Sequence, residues 1–173
     1  MIRVSLRLAI LGILAFVPML AEAALSWRNE RALRAAGALE PRDDVYPAMQ
    51  VIYPGGFAAM IVESWLLRRG WSSLALAGLA VFVAGKLAKY WAISTLGSRW
   101  TFRVLVPPGS ACSLAGPYRF MRHPNYLGVM GELAGFALLS GAYWSGAAVV
   151  AAFAALLRAR IRVEERALGL RAD

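Results

Sequence analysis

The chain has 173 residues, of which 60% are hydrophobic, and a formal net charge of +9. This length suits one domain, but the apolar fraction exceeds that of soluble globular domains and indicates an integral membrane protein. The arginines flank the apolar runs, so they favour membrane topology and anionic lipid headgroups over a nucleic-acid groove. The single cysteine, Cys112, excludes an internal disulfide framework.

Five apolar segments predict an all-α fold of about five transmembrane helices in one membrane-embedded domain. The predicted spans cover about 4–25, 49–67, 72–96, 124–140 and 146–166, and a polar loop covers 97–123. The first segment also resembles a secretory signal peptide with a cleavage site near Ala23. The last apolar stretch, 126–157, would be roughly 48 Å long as one helix, too long for a ~30 Å hydrocarbon core. We therefore expect a break at "SGAYWSG" and a helical hairpin.

The distribution of arginine supports this topology. With the N-terminus outside and five spans, thirteen arginines fall in cytoplasmic segments and four in outer segments. A single final span would instead place nearly equal numbers on the two sides. The positive-inside rule therefore predicts an uncleaved first span and a cytoplasmic C-terminus.

Several ionisable residues fall within or near the ends of the predicted spans, among them Lys86, Lys89, Glu22 and Glu63. Lys86 and Lys89 share one helical face, where they either snorkel to the cytoplasmic headgroups or line a polar site. Glu22 lies near the cytoplasmic end of the first span and is expected to pair with an arginine. Glu63 is expected to pair with the arginines that follow the second span.

The most specific motif is "GPYRFMRHPNYLG", at 116–128. Pro124 suits the first turn of a helix, which predicts that the fourth span begins there. The N-terminus of that helix offers free N–H groups and a positive dipole end to a carboxylate or phosphate. His123 precedes it, and Tyr118 and Tyr126 offer aromatic faces to a cationic or planar ligand. No metal is expected, because the chain has one histidine and one cysteine, which are not at ligand spacing.

A second polar cluster, "RARIRVEERALGL", follows the last apolar segment. Its basic residues suit a stop-transfer role and binding of anionic lipid. Arg160 and Glu164 are four residues apart and share one helical face. If five spans are present, this helix end and the His–Pro motif are the two ends of one hairpin. The sequence therefore predicts that they meet at the cytoplasmic interface and form one site.

These two motifs, separated by an apolar hairpin, resemble the isoprenylcysteine carboxyl methyltransferase family over about Trp91 to Leu168. The segment "LGSRWTFRVLVPPG" is similar to small bacterial members. The chain resembles the short bacterial relatives associated with type III polyketide synthases, which methylate long-chain alkylpyrones or alkylresorcinols, more than it resembles the eukaryotic enzymes. The resemblance implies an S-adenosylmethionine site at the cytoplasmic face of the bacterial inner membrane. It also implies a lipophilic acceptor that arrives from the bilayer, with O-methylation of a carboxylate or of a phenolic or pyrone hydroxyl.

The resemblance also assigns residues. It implies that Arg160 is the catalytic residue, placed between cofactor and acceptor. The implied cofactor contacts are Ser110, Ala111, Cys112, Ser113, Tyr118, His123, Pro124, Asn125, Tyr126 and Glu164. A sulfonium suits aromatic and carboxylate neighbours, and the amino-acid carboxylate of such a cofactor suits a helix N-terminus.

Three alternatives stay open at this point. The chain could be a phospholipid N-methyltransferase, or a sterol-reductase-like membrane enzyme that uses a nicotinamide cofactor. It could also be a non-enzymatic membrane scaffold or transporter, in which Lys86 and Lys89 line a path. Membrane lipids are the expected partners in every case, and no nucleic acid is expected.

Overall fold

The computed structural model describes residues 2–41, 44–108 and 114–169. In these ranges the chain is all-helical, as predicted, with one isolated bridge between Leu39 and Val106 and no longer strand pairing. The five α-helices are α1 Ile2–Ala35, α2 Tyr46–Leu66, α3 Ala75–Leu96, α4 Pro124–Ser140 and α5 Tyr143–Ala167. Short 3-10 turns occupy Gly97–Arg99 and Gly116–Arg119.

The helix bounds differ from the apolar segments most clearly in α1, which continues ten residues past the predicted end at residue 25. The extension, "SWRNERALRA", is polar but rich in arginine, glutamate and alanine, which are good helix formers. The break between α4 and α5 falls where it was predicted. Gly141 ends α4 in the left-handed conformation (φ 69°), which glycine adopts without strain.

Successive helices run in opposite directions, so their ends gather in two groups. Asn29 near the C-terminal end of α1 donates hydrogen bonds to the carbonyls of Gly97 and Trp100, just beyond α3. Arg160 in the C-terminal half of α5 binds Asp44, just before α2. We call this the motif end: the C-terminal ends of α1, α3 and α5 and the N-terminal ends of α2 and α4.

The opposite end is held by Arg7 and Glu63. Buried Arg7 donates to the Ser64 hydroxyl at 2.9 Å and to the Ser140 carbonyl at 2.7 Å, which neutralises helix C-terminal carbonyls with a cation. The expectation for Glu63 was wrong, because its carboxylate forms no described ion pair. It accepts hydrogen bonds from the backbone N–H groups of Trp144 and Ser145 and so caps the N-terminus of α5.

Glycine allows α3 and α4 to pack backbone to backbone. A Cβ added at Gly135 would lie 2.3 Å from the Phe82 nitrogen, and one at Gly78 would lie 2.4 Å from the Leu139 nitrogen. Gly85 and Gly128 meet in the same way about two turns further along both helices. Such close approach is typical of membrane helices, whose association depends on small residues at the contact.

The burial pattern of α1 is the reverse of that of a soluble helix. Its exposed residues include Leu6, Ile13 and Leu20, each at least 60% exposed, while Arg7 and Glu22 are buried. Within the described residues, two helical segments are long and apolar enough to cross a bilayer, Leu6–Ala35 and Ala75–Arg99. Two of the other helices differ from these segments in length or charge: α4 has only 17 residues, and the C-terminal third of α5 is rich in charged side chains.

A buried ion cluster ties α1, α3 and α4 together. Lys89 lies 2.6 Å from a carboxylate oxygen of Glu22 and 3.1 Å from one of Glu132, and Lys86 contacts the same two carboxylates. Tyr53 of α2 adds a hydrogen bond to Glu132. The two lysines therefore do not snorkel, and Glu22 pairs with them and not with an arginine. Two cations and two anions neutralise each other, which a buried cluster requires.

The glycine contact predicts the effect of one added methyl group. Gly135→Ala should lower the free energy of unfolding by about 1–3 kcal/mol, because the methyl group forces α3 and α4 apart. Gly55→Ala is the matched control, since a Cβ there has nothing within 4 Å. It should leave stability unchanged or raise it by up to about 1 kcal/mol. Denaturant titration in detergent micelles measures both, and equal effects would contradict the packing argument.

The ion cluster predicts a larger effect. Glu132→Gln leaves two buried lysines with one carboxylate and should destabilise the fold by about 3–5 kcal/mol. Adding Lys89→Met restores neutrality and should recover part of that loss. Arg34→Gln breaks the Arg34–Glu40 pair, in which Arg34 is 47% exposed, and should cost less than about 1 kcal/mol. If Glu132→Gln is as stable as Arg34→Gln, the stability of the fold does not depend on charge balance in the buried cluster.

Candidate active site

The His–Pro motif begins α4 at the motif end. His123 is the residue before the helix, and Pro124 occupies its first turn. The backbone N–H groups of Tyr126 and Leu127 already bond to the His123 carbonyl at 3.2 and 3.5 Å. The helix start is thus well defined, as the sequence predicted, and its positive dipole end points out of the bundle at this motif.

Glu164 of α5 contacts His123 and Tyr126 of the motif. Its carboxylate lies 3.4 Å from His123 Nδ1 and accepts a hydrogen bond from the Tyr126 hydroxyl. The rings of His123 and Tyr126 stack nearly parallel, with centroids 5.5 Å apart. The final hairpin therefore brings its two ends together, and three of the predicted site residues form one cluster.

Arg160 lies directly beside this cluster, and its side chain is only 3% exposed. Nε donates to Glu164 at 3.2 Å and lies 3.3 Å from the Tyr126 hydroxyl. The two terminal nitrogens donate to an Asp44 carboxylate oxygen and to the Phe102 carbonyl, each at 2.5 Å. One guanidinium thereby joins α5, α4, the segment before α2 and the loop after α3.

The remaining predicted site residues lie around this centre. Tyr118 lies in the 3-10 turn before the motif; burial, and then the charge of Glu164, raises the pKa of its phenol, while Arg99 opposes the shift. Asn125 has a buried side-chain oxygen that accepts no hydrogen bond from the described part of the chain. Ser110, Ala111, Cys112 and Ser113 lie outside the described residues.

The charge of His123 depends on two carboxylates. Glu165 Oε1 lies 3.5 Å from Nε2, on the opposite side of the ring from Glu164. Burial alone lowers the pKa of His123, but the hydrogen bond and charge of Glu164, followed by those of Glu165, raise it above its usual 6.5. The imidazole is therefore held more strongly in its protonated form than a free histidine.

An open cavity of about 320 Å³ adjoins this cluster at the start of α2. It is lined by Glu40, Pro41, Asp44, Tyr46, Pro47 and Arg103. Arg103 pairs with Glu40 at 2.6 Å, and its guanidinium lies over the Tyr46 ring at 4.6 Å. Asp44 is the residue that connects the cavity to Arg160.

Sequence reasoning missed Asp44. It precedes Arg160 by 116 residues, and nothing in "EPRDDVYP" indicates a partner that far away. The local pattern indicates only a turn, because an aspartate side chain commonly accepts the backbone N–H two residues further on. The structure shows that contact too, with the Tyr46 N–H 3.1 Å from an Asp44 oxygen.

The side chains of this site fit a ligand that carries a sulfonium, a carboxylate and an N–H donor. Glu164 and the stacked rings of His123 and Tyr126 suit a sulfonium. The positive dipole end at the start of α4 suits a carboxylate, and the unsatisfied Asn125 side-chain oxygen suits an amine or amide N–H. S-adenosylmethionine has all three groups. No group of three or more potential metal ligands is found in residues 2–41, 44–108 and 114–169.

The described residues form an antiparallel helical bundle that exposes apolar side chains on its surface and carries a polar site at one end. Residues 77–169 match the isoprenylcysteine carboxyl methyltransferase family. The chain belongs to this family of membrane methyltransferases. The matched region contains α4, α5 and every residue of the cluster except Asp44, which lies outside it.

Two bacterial relatives are similar over most of the chain. The uncharacterized protein YpbQ of Bacillus subtilis is 35% identical over 148 residues, which cover 86% of this chain and 88% of the relative. An uncharacterized protein of Haemophilus influenzae is 26% identical over 145 residues, covering 83% and 84%. No solved structure matches the chain.

The single histidine allows a direct test of the site electrostatics. We expect NMR titration to give His123 a pKa above 6.5, and Glu164→Gln to lower it more than Glu165→Gln does. The folded chain binds the His123 proton more tightly than the unfolded chain does. The contribution of the His123–carboxylate contacts to the free energy of unfolding is therefore complete below pH 6.5, the unfolded pKa, and is lost as the pH rises through the raised pKa of the folded chain. A wild-type pKa at or below 6.5 would contradict the geometry.

Proposed function

We propose that this protein is a membrane S-adenosylmethionine-dependent methyltransferase that methylates an oxygen of a lipid-like acceptor. The observation that carries the proposal is the convergence of His123, Tyr126, Arg160 and Glu164 at the motif end. Membership of a carboxyl methyltransferase family supports transfer to oxygen. Neither a scaffold nor a transporter requires these residues to meet.

The proposed cofactor contacts follow from the chemistry of each group. Glu164, with the faces of His123 and Tyr126, binds the sulfonium, while Asn125 and the start of α4 bind the amino-acid part. Tyr118 and the segment 110–113 complete the predicted set. When bound, S-adenosylmethionine would supply a methyl group: the acceptor oxygen would bond to the methyl carbon, the sulfur would keep the electrons of the broken bond as a neutral thioether, and a hydroxyl acceptor would release its proton to water. Arg160 positions the acceptor beside that methyl group, so catalysis rests mainly on orientation.

The proposed setting is a bilayer crossed by all five helices, with the motif end in the cytoplasm. Exposed tryptophans support this, because such residues concentrate at the two membrane interfaces. Trp27 and Trp91 lie towards the motif end, and Trp65, Trp71 and Trp144 lie at the opposite end. The apolar outer surface between them faces acyl chains, from which an amphiphilic acceptor reaches the site laterally.

Cofactor binding to purified protein tests the proposal. Wild-type protein should bind S-adenosylmethionine, and His123→Ala and Glu164→Ala should each raise Kd by roughly tenfold to a hundredfold. This range corresponds to the loss of one charge-assisted hydrogen bond, about 1.5–3 kcal/mol. Arg158→Ala is the matched control, since Arg158 lies on the same helix but is exposed. Unchanged binding in both site variants would remove the support for this site.

Methyl transfer is tested separately. Membranes that contain the protein are incubated with radiolabelled S-adenosylmethionine and a native lipid extract, and the labelled product is identified. An O-methylated amphiphile is the expected product. If the label is found on the amine of a phospholipid, the protein is an N-methyltransferase and not an O-methyltransferase. Binding of NADPH without methyl transfer would indicate a reductase.

A further inference from the structure

The guanidinium of Arg160 offers more N–H groups than the protein uses. Nε donates towards Glu164 and the Tyr126 hydroxyl, at 3.2 and 3.3 Å. Each terminal nitrogen uses a single N–H, one with Asp44 and the other with the Phe102 carbonyl, both at 2.5 Å. Within the described part of the chain, the second N–H of each terminal nitrogen therefore has no acceptor, although the side chain is only 3% exposed.

Asp44 is held through both of its carboxylate oxygens. Oδ1 accepts hydrogen bonds from Arg160 and, at 3.1 Å, from the Tyr46 N–H, while Oδ2 accepts one from the Val104 N–H at 3.2 Å. The side chain is 5% exposed. The carboxylate is therefore attached to the start of α2 and to the loop after α3, and it contacts Arg160 from segments other than α5.

The Phe102 carbonyl, which is the other acceptor at the terminal nitrogens, is held in a similar way. The Phe102 N–H donates to the Ser26 hydroxyl of α1 at 2.8 Å. Two residues further on, the Val104 N–H donates to Asp44. The loop is thus attached on both sides of the Phe102 carbonyl, so Arg160 meets acceptors that are each anchored outside α5.

Fixed acceptors on both terminal nitrogens define the plane of the guanidinium. Arginine carries a planar fork of donors on a long flexible stem, so the groups it bonds to set its orientation. When the plane is fixed, the directions of the remaining N–H groups are fixed as well. An acceptor oxygen then meets donors that are already oriented, and orientation is the main source of rate in the proposed transfer.

We propose that Asp44 is a positioning residue of the methyl-transfer site: it fixes the Arg160 guanidinium so that the remaining N–H groups are directed at the acceptor oxygen. This inference rests on the proposed function, because it takes Arg160 as the residue beside the acceptor. It holds for a hydroxyl or a carboxylate acceptor, since an N–H donor bonds to either oxygen. Asp44 precedes the region that matches the family, residues 77–169, so part of the site comes from the N-terminal half of the chain.

The contacts of Asp44 indicate which kinetic quantity it controls. Its carboxylate contacts Arg160 and two backbone N–H groups, and among the described residues it has no contact with His123 or Glu164. Loss of its position should therefore lower the rate of methyl transfer and leave cofactor binding unchanged. A residue that only stabilised the fold would change neither quantity in protein that remains folded.

The test compares rates and cofactor affinities of the purified full chain in lipid nanodiscs. Initial rates are measured with saturating radiolabelled S-adenosylmethionine and a fixed amount of native lipid extract, and the Kd for S-adenosylmethionine is measured on the same samples. Asp44→Asn should lower the rate roughly tenfold to a hundredfold, because a misplacement of about 1 Å has this effect, and should leave Kd unchanged. Glu40→Gln is the matched control, since Glu40 lines the same cavity but pairs with Arg103 and Arg34. Its rate should match that of wild type.

Asp44→Glu separates position from charge and is the variant to use if Asp44→Asn does not fold. It keeps the negative charge beside Arg160 but moves the carboxylate by one methylene, so the rate should still fall roughly tenfold. In Asp44→Ala, formate can enter the open cavity of about 320 Å³ that Asp44 lines and bind the guanidinium. Formate should then restore part of the rate, whereas chloride at the same ionic strength should not.

An unchanged rate in folded Asp44→Asn or Asp44→Glu overturns the proposal, and so does a fall in rate that comes with an equal rise in Kd. Formate that restores no activity to folded Asp44→Ala also contradicts it. Failure of the proposed function gives a different result, because wild-type protein then binds no S-adenosylmethionine or forms no labelled product, and the inference falls with it. Where the wild type forms the product, the proposed function stands and the variants decide the role of Asp44 alone.

Discussion

The buried guanidinium of Arg160 is the interaction on which the motif end depends. It bonds to Asp44, the Phe102 carbonyl, Glu164 and the Tyr126 hydroxyl, which belong to four separate segments of the chain. A cation removed from water is stable only when its donors are satisfied and its charge is balanced. Each of these segments must therefore be in place before Arg160 can be buried, so the same contacts that stabilise the fold also build the site.

Buried charges are compensated at two further places along the bundle. Arg7 neutralises helix carbonyls at the opposite end, and the lysine and glutamate cluster does so in the middle of the bundle. In each case the charged groups face inwards while leucine, isoleucine and valine side chains of α1 face outwards. This arrangement suits a chain whose surroundings are acyl chains, because an unpaired charge is costly inside the protein and in lipid alike.

Close helix packing sets the positions of the site residues. The glycine contacts bring α3 and α4 together, and the two-residue connection at Gly141 and Ala142 folds α5 back along α4. His123 and Glu164 are 41 residues apart in sequence but lie at adjacent ends of one hairpin. The hairpin therefore holds these two side chains close together.

The sequence by itself determined the helical class, the hairpin and the meeting of His123 and Tyr126 with Arg160 and Glu164. These follow from apolar length, a glycine-bearing break, a proline at a helix start and four-residue spacing, all of which are local properties of the chain. Only the tertiary structure decided the partners of the buried charges. Asp44 with Arg160, and Glu22 and Glu132 with the two lysines, come from distant helices. Their pairing depends on how the helices rotate and pack, and no local pattern encodes that rotation.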